Sequence, residues 1–378
     1  MQNPSALSFP THYDQVLERI NTIHPIKYAQ TRNFLNGHIT YLSPYISRGV
    51  ISVKQVMDSI VSKGYPYQAI EKILQELAWR EYFQRVWQDK KDMIWTDLKQ
   101  TQPNTLHHQM ISSVFNANTG IEIIDKHILT LTNQGYLHNH LRMYIASIVC
   151  NIGNAHWQTA SKWMYYYLLD GDIASNNCSW QWVAGAFSSK KYYCNQENIN
   201  KYTFSKQEGT FLDKPYEALV NGPIPESLKE TNSLQLFTSL PTAIPLQIDA
   251  SIPTLIYNSY NLDPLWRKNE NVNRVLLLEP SHFNNYPVSE KVIQFIIELS
   301  KNIQGIQIYV GEINDIINVY TFKNKYLNDL IISKEHPLFD YYPGIKDERD
   351  WMFPAVTGYF PSFFSYWKKC ERTLKHLR

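Results

Sequence analysis

Gly135-Tyr136-Leu137-His138-Asn139-His140-Leu141-Arg142-Met143, followed by Leu169-Asp170-Gly171-Asp172-Ile173-Ala174-Ser175-Asn176-Asn177-Cys178-Ser179-Trp180-Gln181-Trp182, are the stretches whose reading decides the fold. Two carboxylates two residues apart, beside a glycine and ahead of an asparagine and two indoles, make an odd ending for an amphipathic helix. If both are buried, Arg142, one helix earlier, neutralises one of them. The other is then left to accept a hydrogen bond from a ligand hydroxyl or ring N–H. A solvated loop with surface acids accounts for the same residue types, and by themselves they leave both readings open.

Around these stretches the chain reads mainly as helix from residue 12 to 205. Ile51 to Ile60, Tyr67 to Lys90, Ile121 to Thr132, Leu137 to Ile152 and Trp157 to Leu169 carry apolar residues at spacings of three and four, punctuated by Pro44, Pro66, Pro103 and Gly135. After Phe211 the texture changes, because Pro215, Pro223, Pro225, Pro241 and Pro245 crowd a stretch with little periodicity. Residues 206–250 therefore read as a linker that wraps over the surface. Beyond it come β-rich runs at Thr254–Tyr257, Arg274–Leu278 and Ile306–Val310, with a helical pattern from Ser289 to Ile303 between the last two. That order predicts a βαβ unit and a small parallel sheet. The expected architecture is mainly α: a helical domain over residues 1–205, then a smaller α/β domain over 251–378. A length of 378 residues agrees with two packed units.

Composition narrows the classes. Hydrophobic residues make up 44% and charged residues 19%, and no apolar run approaches the roughly 18–20 residues of a membrane span. Met1-Gln2-Asn3-Pro4 has neither a basic cluster nor an apolar stretch, so no signal peptide and a cytoplasmic location are expected. Cys150, Cys178, Cys194 and Cys370 form no CxxC pair, which argues against a zinc site or a disulfide framework and for buried structural thiols. No GxGxxG or GxxxxGK[ST] loop occurs, so a bound dinucleotide needs another device. The net charge of +2 divides into +4 on residues 1–205 and −2 on 206–378, a mild bias toward nucleic acid on the first part. Seven of the ten tryptophans (Trp79, Trp87, Trp95, Trp157, Trp163, Trp180, Trp182) lie in that part. Clustered indoles suit stacking on a flat ligand, stacking on bases, or electron transfer.

Both opening stretches resemble the signature of the DNA photolyase/cryptochrome family, a Trp-Met-His-Asn-Arg-x-Arg-Met run followed by Asp-x-Asp-x-Ala-x-Asn and Trp-Gln-Trp. Upstream, Glu76-Leu77-Ala78-Trp79-Arg80-Glu81-Tyr82 is similar to the family's Glu-Leu-x-Trp-Arg-Glu helix. Leu42-Ser43-Pro44-Tyr45 with Gly49-Val50-Ile51-Ser52 is similar to its phosphate-side turn. The resemblance implies FAD as cofactor. Asp170 and Asp172 would meet the ribityl and pyrimidine edge of the isoalloxazine, with Arg142 paired to Asp170 and Asn176 facing flavin N5. Thr40, Leu42 and Ser43 would hold the pyrophosphate, with Tyr28 and Arg80 nearby. Where the family usually shows Thr-Ser-x-Leu-Ser-Pro, this chain has Ile39-Thr40-Tyr41-Leu42-Ser43-Pro44, so one hydroxyl is replaced by Ile39.

For a damaged-DNA partner the matching positions are Glu76, Trp79, Asn139, Met143 and Trp182. Cyclobutane dimer repair needs a flipped-out dinucleotide against indoles, a carboxylic acid near the pyrimidine carbonyls and a reduced flavin. Asn139 stands where (6-4) repair enzymes carry a second histidine and so points to cyclobutane dimers. Core packing for Trp79, Trp182 and Met143, with a capped or paired Glu76, is the competing account. Trp180 and Trp157 match the first two members of the family's photoreduction chain. The third is absent at its usual spacing, which leaves Trp95 or one of Tyr165 to Tyr167. The strands after residue 250 are similar to the family's α/β antenna domain in permuted order; they say nothing about an antenna chromophore. The implied function is light-driven cyclobutane dimer repair. A cryptochrome-like photoreceptor or redox flavoprotein without repair is the alternative, and a scaffold that has lost flavin is a third.

Overall fold

The computed structural model describes residues 8–321, 329–374 and 377, so the expectation drawn from Met1 to Pro4 lies outside the described residues. The chain divides into two compact units that interleave along the sequence. One comprises Met1–Ile23, Thr40–Gly64 and Phe237–Val356; the other comprises His24–Ile39, Tyr65–Leu236 and Thr357–Arg378. This division differs from a split at residues 205 and 251. Thr40–Gly64 clusters with the sheet, and the C-terminal residues cluster with the helices.

The helical unit is built on α1 (Pro25–Thr31), α2 (Tyr67–Lys90), α3 (Glu122–Gln134), α4 (Asn139–Ser147), α5 (Trp157–Tyr167), α6 (Ile173–Ala184), α7 (Gln196–Thr203) and α8 (Phe363–Thr373). α2 follows Pro66 and runs 24 residues, about 36 Å. Every residue from Glu81 to Trp87 is buried, so its C-terminal half lies inside the unit rather than on its surface. The pattern from Leu137 to Ile152 divides: α4 ends at Ser147 and a π-turn carries Ile148 to Ile152.

α3 stops at Gly135, whose φ of 73° suits glycine. A Cβ there would come within 2.7 Å of Leu169 Cγ, and Gly135 O accepts the Leu169 N–H at 2.8 Å. The α3–α4 corner is thereby tied to the loop that carries Asp170. The proline-rich stretch does more than wrap. Leu212, Leu219 and Leu228 enter the buried core beside Trp157, Trp163 and Trp180, and Thr231–Asn232 pairs antiparallel with Met110–Ile111. α8 packs on α2, where Tyr366 donates its hydroxyl to buried Glu81 at 2.8 Å and Tyr67 donates to Glu371 at 3.4 Å.

Among the described residues the other unit holds five strands: β1 (Thr254–Tyr257), β2 (Asn273–Leu278), β3 (Ile306–Val310), β4 (Ile331–Lys334) and β5 (Ile345–Asp347). All neighbours are parallel, in the order β3-β2-β1-β4-β5. The helix Glu290–Ser300 connects β2 to β3, which gives the expected βαβ unit. Central β1 is buried along its whole length, as a strand covered on both faces must be. Among the described residues no helix is long and apolar enough to cross a membrane.

Candidate functional site

Asp172 caps α6. Its Oδ1 accepts the Ser175 N–H at 2.7 Å and so satisfies one of the first-turn donors that no helix can pair internally. Oδ2 accepts Gln84 Nε2 at 2.6 Å and lies 3.9 Å from Arg80 Nη2. Arg80 and Gln84 stand one turn apart on α2, so the helix presents both to one carboxylate. Two residues earlier, in the loop tied to Gly135, Asp170 accepts Arg142 Nη2 at 2.8 and 3.0 Å. Arg142 Nε also donates to Leu137 O at 2.8 Å, which holds the guanidinium plane in place.

Asp170 and Asp172 are therefore both buried, each against an arginine on a different helix, and the solvated-loop alternative does not describe them. One turn into α6, Asn176 donates from Nδ2 to Ser161 O on α5 at 2.9 Å. Next to it, Ser175 Oγ is buried and makes no hydrogen bond. His138 caps α4 through Nδ1, which accepts the His140 N–H at 3.2 Å. Burial first, then His140 and Arg142, push its pKa down to about 4, so it is neutral at pH 7.

Tyr28 lies half-buried on α1. Thr40, Leu42 and Ser43 belong to the sheet-containing unit. There Leu42 is buried, its N–H donates to Thr40 Oγ1 at 3.4 Å, and Ser43 opens a short helix ending at Ser47.

The five positions assigned to DNA have different surroundings. Glu76 takes Arg32 at 3.2 Å and Lys72 at 3.1 Å. Trp79 stacks on Phe363 of α8 with ring centroids 3.9 Å apart and planes within 10°, so one face of this indole is already covered. Asn139 is exposed and donates weakly to the half-buried Met143 Sδ at 3.8 Å. Trp182 is 39% exposed, tilted over Tyr192, and is not core.

Trp180 and Trp157 are both buried in one cluster, and Trp163 is fully buried core. Trp95 is half-buried, with Lys162 Nζ 5.5 Å over its ring. All four cysteines are buried and free, and among the described residues no group of three or more His, Cys, Asp or Glu could hold a metal ion.

Gln84, Ser161 and Phe363 escape a reading of the sequence. The i, i+4 relation of Arg80 and Gln84 was a usable signal for the first. The aromatic run Phe363-Phe364-Ser365-Tyr366-Trp367, dense for a terminal helix, was one for the last.

Residues 73–218 match the family described as the FAD binding domain of DNA photolyase. A deoxyribodipyrimidine photo-lyase of Buchnera aphidicola is 29% identical over 226 residues, covering 51% of this chain and 46% of that protein. One from Alkalihalophilus pseudofirmus is 31% identical over 177 residues, covering 45% and 36%. A cryptochrome DASH of Idiomarina loihiensis is 28% identical over 186 residues, covering 47% and 41%. The chain spans between about a third and a half of the length of the curated relatives it matches. The two buried aspartates, set against arginines from separate helices where the motifs run, lie within residues 73–218, the stretch that matches the FAD binding domain of DNA photolyase.

Proposed function

We propose that the helical unit holds FAD and acts in light-driven repair of cyclobutane pyrimidine dimers in DNA. The observation that carries the reading is the buried pair of carboxylates at the head of α6, each set against an arginine from another helix. The donor set suits the cofactor. Ser175 Oγ is a buried hydroxyl without a partner, and Asp172 and the partly exposed Arg80 offer an acceptor and a donor to ribityl hydroxyls and a flavin ring edge. Asn176 keeps its carbonyl oxygen clear of the Ser161 bond. An amide there can hydrogen-bond to flavin N5 but supplies no proton, as suits an electron donor. When bound, FAD supplies the light-driven electron that splits the dimer.

The chain's own residues would do the rest. Trp182 offers an open indole face for a flipped base, Met143 and Asn139 line the same end of α4, and Glu76 offers a carboxyl to the pyrimidine carbonyls. The five-stranded parallel sheet is assigned to the family's antenna-like α/β domain.

A second reading, a cryptochrome-like photoreceptor or redox flavoprotein without repair, is favoured by the Phe363 ring on Trp79 and by the two cations already held by Glu76. Illuminating the reduced protein with blue light in the presence of a thymine-dimer oligonucleotide separates them. Repair restores the thymines. A yellow, FAD-loaded protein that restores none leaves the photoreceptor, and protein that stays colourless in excess FAD removes both.

A further inference from the structure

The indole of Trp157 is fully buried and its Nε1–H donates to Asp97 Oδ1 at 2.7 Å. Asp97 Oδ2 accepts the Gln102 N–H at 2.8 Å. His156 Nε2 lies 3.2 Å from Oδ1, and His156 Nδ1 accepts the Gln158 N–H at 3.4 Å as the cap of α5. Its ring proton therefore sits on Nε2, and His156 is another donor to Asp97. Burial, ahead of the opposing Asp97 charge, lowers the pKa of His156, so it is neutral at pH 7. The Cys150 thiol, which also feels Asp97, is kept protonated by burial. No Lys or Arg pairs with Asp97 among the described residues. The carboxylate is 17% exposed and His156 12%. Exposed His108 stacks on His156 at 4.4 Å between centroids, and Asp97, itself partly exposed, is a single side chain between the buried indole and water.

We propose that Asp97 is the proton acceptor for Trp157 in photoreduction, which makes Trp157 the terminus of the electron-transfer chain; this rests on the FAD reading above. One electron passes from Trp157 to the oxidised Trp180, which returns to its closed-shell state. The indole radical cation left on Trp157 gives its Nε1 proton to the Asp97 carboxylate. The products are a neutral indolyl radical on Trp157 and a carboxylic acid on Asp97.

The chemistry follows from the geometry. Loss of an electron turns a very weak N–H acid into a strong one, and the hydrogen bond that carries the proton is already made. The neutral radical cannot take its electron back without also recovering the proton, so the charge separation lasts without a third tryptophan. Trp95 is a poor alternative terminus, because the Lys162 ammonium over its ring disfavours a positive hole there. Asp97 carries no such penalty: a half-buried negative charge beside Trp157 attracts the hole.

The test uses the FAD-loaded protein, with Asp97→Asn, Asp97→Glu and Trp157→Phe variants, in flash absorption spectroscopy. Wild type should show the shorter-wavelength band of a neutral indolyl radical. Asp97→Asn should keep the longer-wavelength radical cation and lose its signal faster by recombination, and Asp97→Glu should restore the neutral radical. In flavin-free protein labelled with 15N-tryptophan, the indole N–H resonance missing from Trp157→Phe should shift in Asp97→Asn. A neutral radical formed by Asp97→Asn at the wild-type rate overturns the proposal. So does a flash signal that survives unchanged in Trp157→Phe, although FAD binding then stands. A protein that takes up no FAD defeats the parent reading and this one together, and its colourless spectrum tells that failure from the others.

Discussion

Removing either partner of the Arg142–Asp170 pair should destabilise the helical unit, and by unequal amounts. Arg142 reaches both carboxylate oxygens from Nη2, at 2.8 and 3.0 Å, yet its side chain is 24% exposed while that of Asp170 is 3% exposed. In Asp170→Ala the guanidinium keeps its bond to Leu137 O and gains water on its open side. The loss should be about 2 kcal/mol, the worth of a charge-assisted bond, and not the full 3–5 kcal/mol of a stranded buried charge. In Arg142→Ala a carboxylate almost without solvent loses its guanidinium, which costs more. Protonation limits that cost to roughly 4 kcal/mol at pH 7, the free energy of raising a carboxyl from about 3.9 to 7. The double variant should cost less than the sum of the singles by about 1–2 kcal/mol. Urea unfolding followed by tryptophan fluorescence measures this, since seven of the ten indoles lie in residues 1–205. Flavin content should be recorded on each variant. Equal or reversed costs for the two single variants, or strict additivity, would refute the placement.

His138 is held at a pKa of about 4, below its usual 6.5. The unfolded chain therefore takes up a proton that the folded one refuses, and stability present above pH 6.5 falls by up to about 3 kcal/mol as the pH drops toward 4. His138→Asn, which keeps a capping side chain, should flatten that slope in urea midpoints taken between pH 7 and 4.5; an unchanged slope would locate the titration elsewhere. Gly135→Ala forces a φ of 73° on alanine and sets its Cβ 2.7 Å from Leu169 Cγ. A drop of about 2 kcal/mol or more is expected, with flavin lost because the Asp170 loop is displaced; wild-type stability would mean that the corner is not tied. Trp182→Ala should weaken binding of a dimer-containing oligonucleotide by about 1–3 kcal/mol with FAD retained, and equal loss on intact duplex would instead mark a nonspecific contact.

The helices were legible because burial imposes a period on them. Tyr67–Lys90 matches its pattern to the residue, and the βαβ unit from Asn273 to Val310 follows from apolar runs too short for helices. The pairing of Arg142 with Asp170 was legible because charged residues inside an apolar pattern must find partners. Less legible was which core an apolar face joins. The pattern in Ile51 to Ile60 names a buried side without naming its neighbour, so Thr40–Gly64 read as part of the helical domain although it clusters with the sheet. The proline-rich stretch hid Leu212 and Leu228, because isolated apolar residues in an aperiodic segment give no phase. Phe363 was missed for a similar reason: its partner Trp79 lies far away in sequence, and a stack between distant residues leaves no local trace.

That stack decides how the two functional readings divide. Phe363 is almost fully buried, and its ring lies flat on Trp79. Uncovering it costs roughly 1.5–3 kcal/mol of burial and a further 0.5–1.5 kcal/mol of ring contact. A base stacking in its place returns about 1–3 kcal/mol. At the middle of these ranges Phe363 holds its position against a single base, and a lesion that needs Trp79 binds at a net cost of about 1 kcal/mol. Only the first turn of α8 would have to move, because Tyr366 and Glu371 hold the rest of that helix to Glu81 and Tyr67. Phe363→Ala should therefore leave the unit folded and FAD bound while tightening dimer binding about tenfold, the equivalent of 1.4 kcal/mol, in a fluorescence-anisotropy titration. Unchanged affinity would remove Trp79 from the lesion surface and leave Trp182 as its indole. Weaker binding would make Phe363 itself part of that surface, and either result refutes the idea that its ring competes with the lesion.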